Sequence, residues 1–175
     1  GILACISFLV EGAVMDWSGV LLTEVKNMDI ALAGTGYAIF SVAMLIMRLL
    51  GDKTVQFLGE QKAVIGGSIV TAAGFALVVV LDNLYLNAFA FILIGLGCAN
   101  IVPVFYSLLK YQKDMPISAA VTSVTSLGYT GVILGPALLG FVAHGINISA
   151  VFELVALLLV IEAGIAKYVF CKLKM

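Results

Sequence analysis

The run "ILACISFLVEGAVMDWSGVLL", from Ile2 to Leu22, decides the fold because it is long and apolar enough to cross a bilayer. A membrane-spanning helix needs about 20 mainly apolar residues. Comparable runs follow along the chain, so the predicted spans are residues 2–22, 30–50, 63–81, 86–109, 117–143 and 148–170. Short polar segments connect them. We therefore predict an all-α membrane protein, a single domain of six transmembrane helices.

The composition agrees with a membrane protein and excludes several other classes. Hydrophobic residues make up 63% of the 175 residues, charged residues make up 11%, and the mean hydropathy is +1.19. Soluble domains average about 45–50% apolar and about 25% charged residues. The net charge of −1 gives no basic signature for nucleic-acid binding. Because the cysteines are scattered, the histidine is single and no enzyme motif is visible, we expect no metal site, no cofactor and no enzymatic activity.

The basic residues predict which side of the membrane each loop faces. All nine Lys and Arg residues except Lys26 follow the second and fourth spans or lie near the C-terminal end: Arg48, Lys53, Lys62, Lys110, Lys113, Lys167, Lys172 and Lys174. Cytoplasmic loops of membrane proteins are enriched in these two residue types. We therefore predict that both ends of this segment are cytoplasmic. Because the chain begins with Gly1 rather than methionine, we expect a fragment or one half of a longer protein.

Carboxylates inside the predicted spans are the first candidates for function. A charge at the centre of a bilayer costs about 2.5–3.5 kcal/mol on insertion scales. The sequence places no Lys or Arg deep in a span, so these carboxylates are expected to face protein or water, or to carry a proton. Glu11 lies near the middle of its span, and Asp16 is roughly 7 Å further out and about 140° around the helix. We take Glu11 as the candidate for a central cavity, and Asp16 with Trp17 as an element of the outer end.

Two apolar spans contain polar or bend-forming residues with alternative interpretations. Asn100 lies near the middle of span four, where it either contacts substrate or forms an interhelical hydrogen bond. Pro103 in the same span has no backbone N–H to donate to the Ala99 carbonyl, which favours a kink. In span five, Gly135-Pro136 predicts a bend that serves either close helix packing or a moving gate.

The loop "GDKTVQFLGEQK", from residue 51 to 62, resembles the loop between the second and third helices of each half in the major facilitator superfamily. The matching positions are Gly51, Asp52, Lys53 and Gly59, and Arg48 precedes them. The resemblance makes these five residues candidates for a gating motif. Their charges form either a relay that holds one conformation closed or a solvated cluster set by membrane topology.

Two further stretches carry the same resemblance. "FLVEGAVMDWSG" is similar to the first helix of the C-terminal half in bacterial, fucose-permease-like members, and "GVILGPALLG" is similar to the penultimate helix. Together they imply the C-terminal six-helix half of a twelve-helix carrier, built from two inverted three-helix repeats. They also imply the lipid bilayer of a bacterial inner membrane, an N-terminal six-helix half in the same protein and a small-molecule substrate, either sugar-like or drug-like.

The resemblance also ranks the candidate residues. In such a half, the first and fourth helices line the cavity, the second and fifth form gates, and the third and sixth are peripheral. This map favours Glu11, Trp17, Asn100 and Tyr106 as substrate or proton site candidates. It gives less weight to Glu162, which lies in the sixth span.

The sequence therefore predicts half of a secondary transporter that works by alternating access. Proton coupling is a hypothesis motivated by the lack of a cationic partner for Glu11. The alternative is a stand-alone six-helix membrane module that forms a homo-oligomer or acts as a non-transporting sensor. A further six-helix segment upstream in the same gene would decide for the transporter.

Overall fold

Helices make up almost all of the computed structural model, which describes residues 1–173. They are α1 Ile2–Val20, α2 Thr35–Leu49, α3 Gly51–Leu58, α4 Glu60–Val80, α5 Leu84–Cys98, α6 Ile101–Ser107, α7 Ile117–Gly145 and α8 Ile148–Leu173. Six segments are long and apolar enough to cross a membrane: Ile2–Val25, Ile30–Leu49, Glu60–Val80, Leu84–Tyr111, Ile117–Gly145 and Ile148–Lys172. The predicted all-α fold with six transmembrane helices is confirmed. Lys174, used above to assign orientation, lies outside the described residues.

Three local features change the predicted helix boundaries. The first span continues beyond α1 as a π-helical turn, Leu21–Val25. The second begins with a 3₁₀ turn, Ile30–Leu32, where the Asp29 side chain accepts a hydrogen bond from the Ala31 N–H. The fourth is divided into α5 and α6 one turn before Pro103, which agrees with the kink expected from the missing proline N–H.

The polar segment after the second span is helical rather than a loop. It forms the eight-residue helix α3, whose first residue, Gly51, is buried and whose Asp52, Lys53 and Phe57 are exposed. Sequence reasoning missed this helix because it is too short and too polar to resemble a span. Gly59 ends it with φ 81°, a left-handed conformation that glycine adopts without a steric penalty.

The helix pairs that pack together follow two three-helix repeats. In chain order, spans one to three contain α1, α2 and α4. Span four contains α5 and α6, and spans five and six contain α7 and α8. The pairs α1–α7, α2–α5, α4–α5 and α4–α8 pack most extensively, and α1 also packs on α8. Exchanging the first three spans with the last three converts the α1–α7 pair into the α5–α2 pair and leaves α4–α8 unchanged. These pairs follow the symmetry of inverted repeats, whereas α4–α5 corresponds to the less extensive α1–α8 contact.

Glycines allow the closest helix crossings. A Cβ atom on Gly97 of α5 would lie 2.7 Å from the Gly67 carbonyl oxygen of α4 and 2.8 Å from the Thr71 nitrogen. A Cβ atom on Gly131 of α7 would collide with the Cys5 carbonyl oxygen of α1. Small residues at such positions let membrane helices approach backbone to backbone, which is how these helices gain packing energy in lipid.

Lys26 binds the C-terminal end of α4, opposite to the end that carries Lys62. Its Nζ donates to the Val79 carbonyl at 2.7 Å and to Asp82 Oδ1 at 2.8 Å. The Lys26 side chain is 2% exposed and that of Asp82 is 88% exposed. A cation at a helix C-terminus stabilises its unpaired carbonyl groups. The one basic residue on this side of the predicted topology therefore has a structural role.

Replacing Lys26 with methionine is expected to lower the free energy of unfolding by about 1–2 kcal/mol, because the last carbonyls of α4 lose a buried cation. Asp82→Asn is the matched control and should cost less, since its partner remains bonded to Val79 and the carboxylate is exposed. Unfolding of the complete protein in detergent, followed by the loss of helical circular dichroism, measures both. A larger loss in Asp82→Asn would contradict this role of Lys26.

Candidate functional site

An ion pair joins α1 and α2 on one face of the bundle. The Arg48 Nη2 atom donates to Glu11 Oε1 at 3.0 Å. The expectation that no cation reaches Glu11 is therefore wrong. Side chains on a helix lean toward its N-terminus, so Arg48, near the C-terminal end of α2, leans back into its own span. Its long side chain can then reach the carboxylate on the antiparallel neighbour.

The ion pair lies in a cleft of about 410 Å³ between α1, α2 and α7. The other side chains in this cleft, which we call the ion-pair cleft, are mainly apolar and aromatic: Phe8, Met15, Tyr37, Phe40, Met44, Leu45 and Val132, with Ser41. Small-molecule sites typically have about 300–1,000 Å³ and combine an apolar lining with a few placed polar groups. In size and lining, the cleft suits a small organic solute.

A second cleft, of about 320 Å³, shares Arg48 with the first. Gly51, Asp52 and Asn100 also line it, so it joins gating-motif residues to the polar residue of span four. Asn100 is buried, and no group among the described residues forms a hydrogen bond with its side chain. A Cβ atom on Gly51 would lie 2.6 Å from Asn100 Oδ1, so glycine leaves room for this amide. The amide thus faces a cleft instead of forming the interhelical hydrogen bond considered above.

The charges of the predicted gating motif are not joined to one another. Arg48 pairs with Glu11, whereas Asp52 and Lys53 are exposed and form no ion pair within the described residues. A different contact ties this end of the bundle together. Glu60 Oε1, in the first turn of α4, accepts hydrogen bonds from Ser107 Oγ at 3.0 Å and from Lys110 Nζ at 3.1 Å.

The remaining candidates lie outside the ion-pair cleft. Asp16 is exposed and Trp17 is half-buried, with no hydrogen-bond partner for its Nε1 among the described residues. For Asp16 this placement agrees with the rotation of about 140° that separates it from Glu11. Tyr106 shares a hydrogen bond of 2.8 Å with the Thr125 hydroxyl, which links α6 to α7.

The glycine–proline pair of the fifth span lies where α7 packs on α1. A Cβ atom on Gly135 would meet Leu9 at 3.4 Å, an ordinary packing distance. Pro136 is exposed, and α7 continues through it from Ile117 to Gly145. The contact favours the helix-packing interpretation for Gly135, and the gate remains a prediction.

Glu162 is a polar residue to which sequence reasoning gave little weight. It is fully buried in α8, and its carboxyl group accepts hydrogen bonds from Ser7 Oγ of α1 at 2.6 Å and from Ser68 Oγ of α4 at 3.4 Å. The two serines lie far from Glu162 in the sequence and have no distinctive motif around them. Only the packing of the three helices brings them together.

Three bacterial proteins align with nearly the whole of this chain. The chain is 40% identical over 169 residues to an uncharacterized MFS-type transporter of Yersinia pestis, an alignment that covers 97% of this chain and 44% of that protein. It is 31% identical over 166 residues to an uncharacterized transporter of Sinorhizobium fredii, covering 95% and 44%. It is 26% identical over 165 residues to membrane protein MosC of Rhizobium meliloti, covering 94% and 39%.

The chain thus spans less than half the length of these relatives. No protein-family model matches it, and no solved structure matches it. The bacterial relatives and the six apolar helices together support a multi-pass membrane protein.

Proposed function

We propose that the chain is the C-terminal six-helix half of a secondary transporter of the major facilitator superfamily, which moves a small polar solute by alternating access. The observation that carries this proposal is the ion-pair cleft, where Glu11 and Arg48 lie against apolar side chains on one face of the bundle. The relatives, more than twice as long as the aligned segment, support a second half in the complete protein. The bacterial inner membrane, with both ends of this segment cytoplasmic, is part of the proposal.

The ion pair suits recognition of a polar solute. Arg48 presents a planar fork of N–H donors, and Glu11 presents carboxylate oxygens that accept hydrogen bonds. A solute with hydroxyl or charged groups competes for both partners, while Phe8 and Tyr37 supply apolar faces for its carbon skeleton. Binding would then loosen the contact between α1 and α2. In our proposal this loosening couples occupancy of the cleft to movement of the helices around it.

The pairing also changes the hypothesis of proton coupling. Arg48 donates to Glu11 Oε1, so a proton on Glu11 would have to replace this ionic contact with a neutral one. Glu11 would take up a proton only in a state in which Arg48 has turned to the solute. Replacing Glu11 with glutamine in the complete carrier and measuring solute-driven proton uptake tests this role. Unchanged proton uptake would end it.

Uptake of solutes by lipid vesicles that contain the complete protein tests the proposed function. A panel of radiolabelled sugars and drug-like molecules, each supplied as a gradient, should include at least one solute that enters faster than into protein-free vesicles. The unlabelled form of that solute should compete for uptake. If no solute in the panel enters and the six-helix chain alone forms a stable homo-oligomer, the stand-alone module is the correct interpretation.

A further inference from the structure

A carboxyl group is enclosed where α1, α4 and α8 meet. Glu162 is 0% exposed, and it lines neither of the clefts described above. It lies about 21 Å from the first residue of α8 and about 16 Å from the last, at 1.5 Å per residue. Both distances place the group well inside the span, far from either membrane surface.

Two serines from different helices contact this carboxyl group. Ser7 Oγ is 2.6 Å from Oε1 and Ser68 Oγ is 3.4 Å from Oε2. Ser7 is 4% exposed and Ser68 is 0% exposed, so all three polar groups are removed from solvent. We call these three residues the Glu162 cluster. Its polar contacts link α1, α4 and α8.

No cation reaches the Glu162 cluster within the described residues. On α1 the nearest charged residue is Glu11, one turn beyond Ser7, and its partner is Arg48 of α2. The α4 segment between Lys62 and Val80 contains no titratable side chain. Two neutral thiols lie on neighbouring helices: Cys98 of α5, whose Sγ donates to the Gly95 carbonyl, and Cys5 of α1, whose Sγ contacts Thr130 of α7.

On α8 itself, Glu153 and Lys167 are exposed. Lys167 is five residues from Glu162, roughly 140° around the helix, and therefore lies on a different face. The helix that carries Glu162 thus offers it no counter-charge.

An ionised carboxylate in this environment would have no compensating charge. Removing such a group from water costs several kcal/mol, whereas a neutral carboxylic acid needs only hydrogen-bond partners. The neutral acid has a carbonyl oxygen that accepts from Ser7 and a hydroxyl that can donate to Ser68. The cluster therefore matches the hydrogen-bonding needs of the protonated form.

We propose that Glu162 holds a proton in this packing arrangement, so that the junction of α1, α4 and α8 is a proton-binding site separate from the ion-pair cleft. The proton comes from hydronium and returns to water: the carboxylate and hydronium give the carboxylic acid and water, and the reverse step releases the proton. Release needs water at the carboxyl oxygens, and water enters only when α1 separates from α8.

The proton site is connected to the ion-pair cleft through α1. Ser7 and Glu11 are one helical turn apart, so a movement of α1 that opens the cleft also moves the serine that contacts Glu162. Loss of the proton would thereby favour a different position of α1. This coupling rests on the proposed transport function, whereas the proton-binding site itself does not.

Infrared spectroscopy of the complete protein in lipid tests the site without any solute. At neutral pH the spectrum should contain the carbonyl stretching band of a buried carboxylic acid. Glu162→Gln should remove that band, and Glu153→Gln, which replaces an exposed carboxylate on the same helix, is the matched control and should leave it unchanged. Loss of the band in Glu153→Gln, its persistence in Glu162→Gln, or its absence from the parent protein would overturn the proposal.

The serine variants keep the test decisive if Glu162→Gln does not fold. Ser7→Ala removes the hydrogen bond to Oε1, so the carbonyl band of the acid should move to higher frequency. Ser126→Ala, on an exposed part of α7, is the control and should leave the band in place. An unshifted band in Ser7→Ala would overturn the proposal. Because no transported solute is needed, failure here is distinguishable from failure of the uptake experiment.

Discussion

Replacing Arg48 with methionine is expected to lower solute uptake by the complete protein by about tenfold or more, a loss equivalent to about 1.4 kcal/mol or more. The substitution removes the donor fork from the ion-pair cleft and leaves Glu11 without a partner. Breaking a fully buried pair costs about 3–5 kcal/mol of stability. The Arg48 side chain is 45% exposed in this half, so we expect a smaller cost, about 1–2 kcal/mol.

A double substitution separates the two effects of Arg48. Glu11→Leu together with Arg48→Met removes both charges, so the free energy of unfolding should return toward that of the parent protein while uptake stays low. Lys113→Met removes an exposed charge in the loop before α7 and should change neither quantity. Uptake and unfolding in detergent are measured on the same preparations. If the double variant transported at the parent rate, the ion pair would be only structural.

Replacing Gly67 with alanine is expected to lower the free energy of unfolding by about 1–3 kcal/mol, the usual cost of overpacking. The new methyl group would collide with the Gly97 carbonyl oxygen and lie 3.3 Å from Ile101 Cγ1. Backbone cannot move aside as a flexible side chain can, so α4 and α5 must separate along their crossing. That separation weakens one of the most extensive helix–helix interfaces in the bundle.

Gly66→Ala is the matched control because it lies next to Gly67 on the same helix. A Cβ atom on Gly66 would meet nothing within 4 Å. Alanine favours the helix over glycine by about 0.5–1 kcal/mol, so this variant should be unchanged or slightly more stable. Tryptophan fluorescence during unfolding in detergent compares the two. Equal effects of both substitutions would contradict the backbone contact between α4 and α5.

Hydropathy alone was sufficient to predict the six spans, because each needs only length and an apolar composition. The break before Pro103 was also predictable, since a proline removes one specific backbone donor. The helix α3 was not, because its eight residues are fewer than the roughly 11–18 over which a helical period can be recognised. Short interfacial helices are decided by tertiary contacts such as the buried position of Gly51.

The polar contacts were harder to predict than the helices that carry them. Glu11 and Arg48 are 37 positions apart, and only the approach of α1 to α2 and the direction of the arginine side chain bring them together. The position of span six at the periphery suggested little role for Glu162. Its side chain nevertheless faces inward, because α8 packs along α4 and also contacts α1. Sequence gives the depth of a residue in its span, but not the neighbour that its face contacts.

In the proposed mechanism, the ion-pair cleft holds the solute and opens to each side of the membrane in turn. Thiol labelling of Met15→Cys tests it most directly, in the complete protein with its native cysteines replaced. Met15 lines the cleft and is 53% exposed. Val42→Cys is the control. Val42 lies on α2 outside this cleft, on an apolar surface, so the new thiol should react poorly with a polar reagent in lipid.

We predict that membrane-impermeant thiol reagents label Met15→Cys in right-side-out and in inside-out vesicles, and that the transported solute slows labelling from both sides. Labelling from one side only, or labelling that the solute does not slow, would contradict alternating access through this cleft.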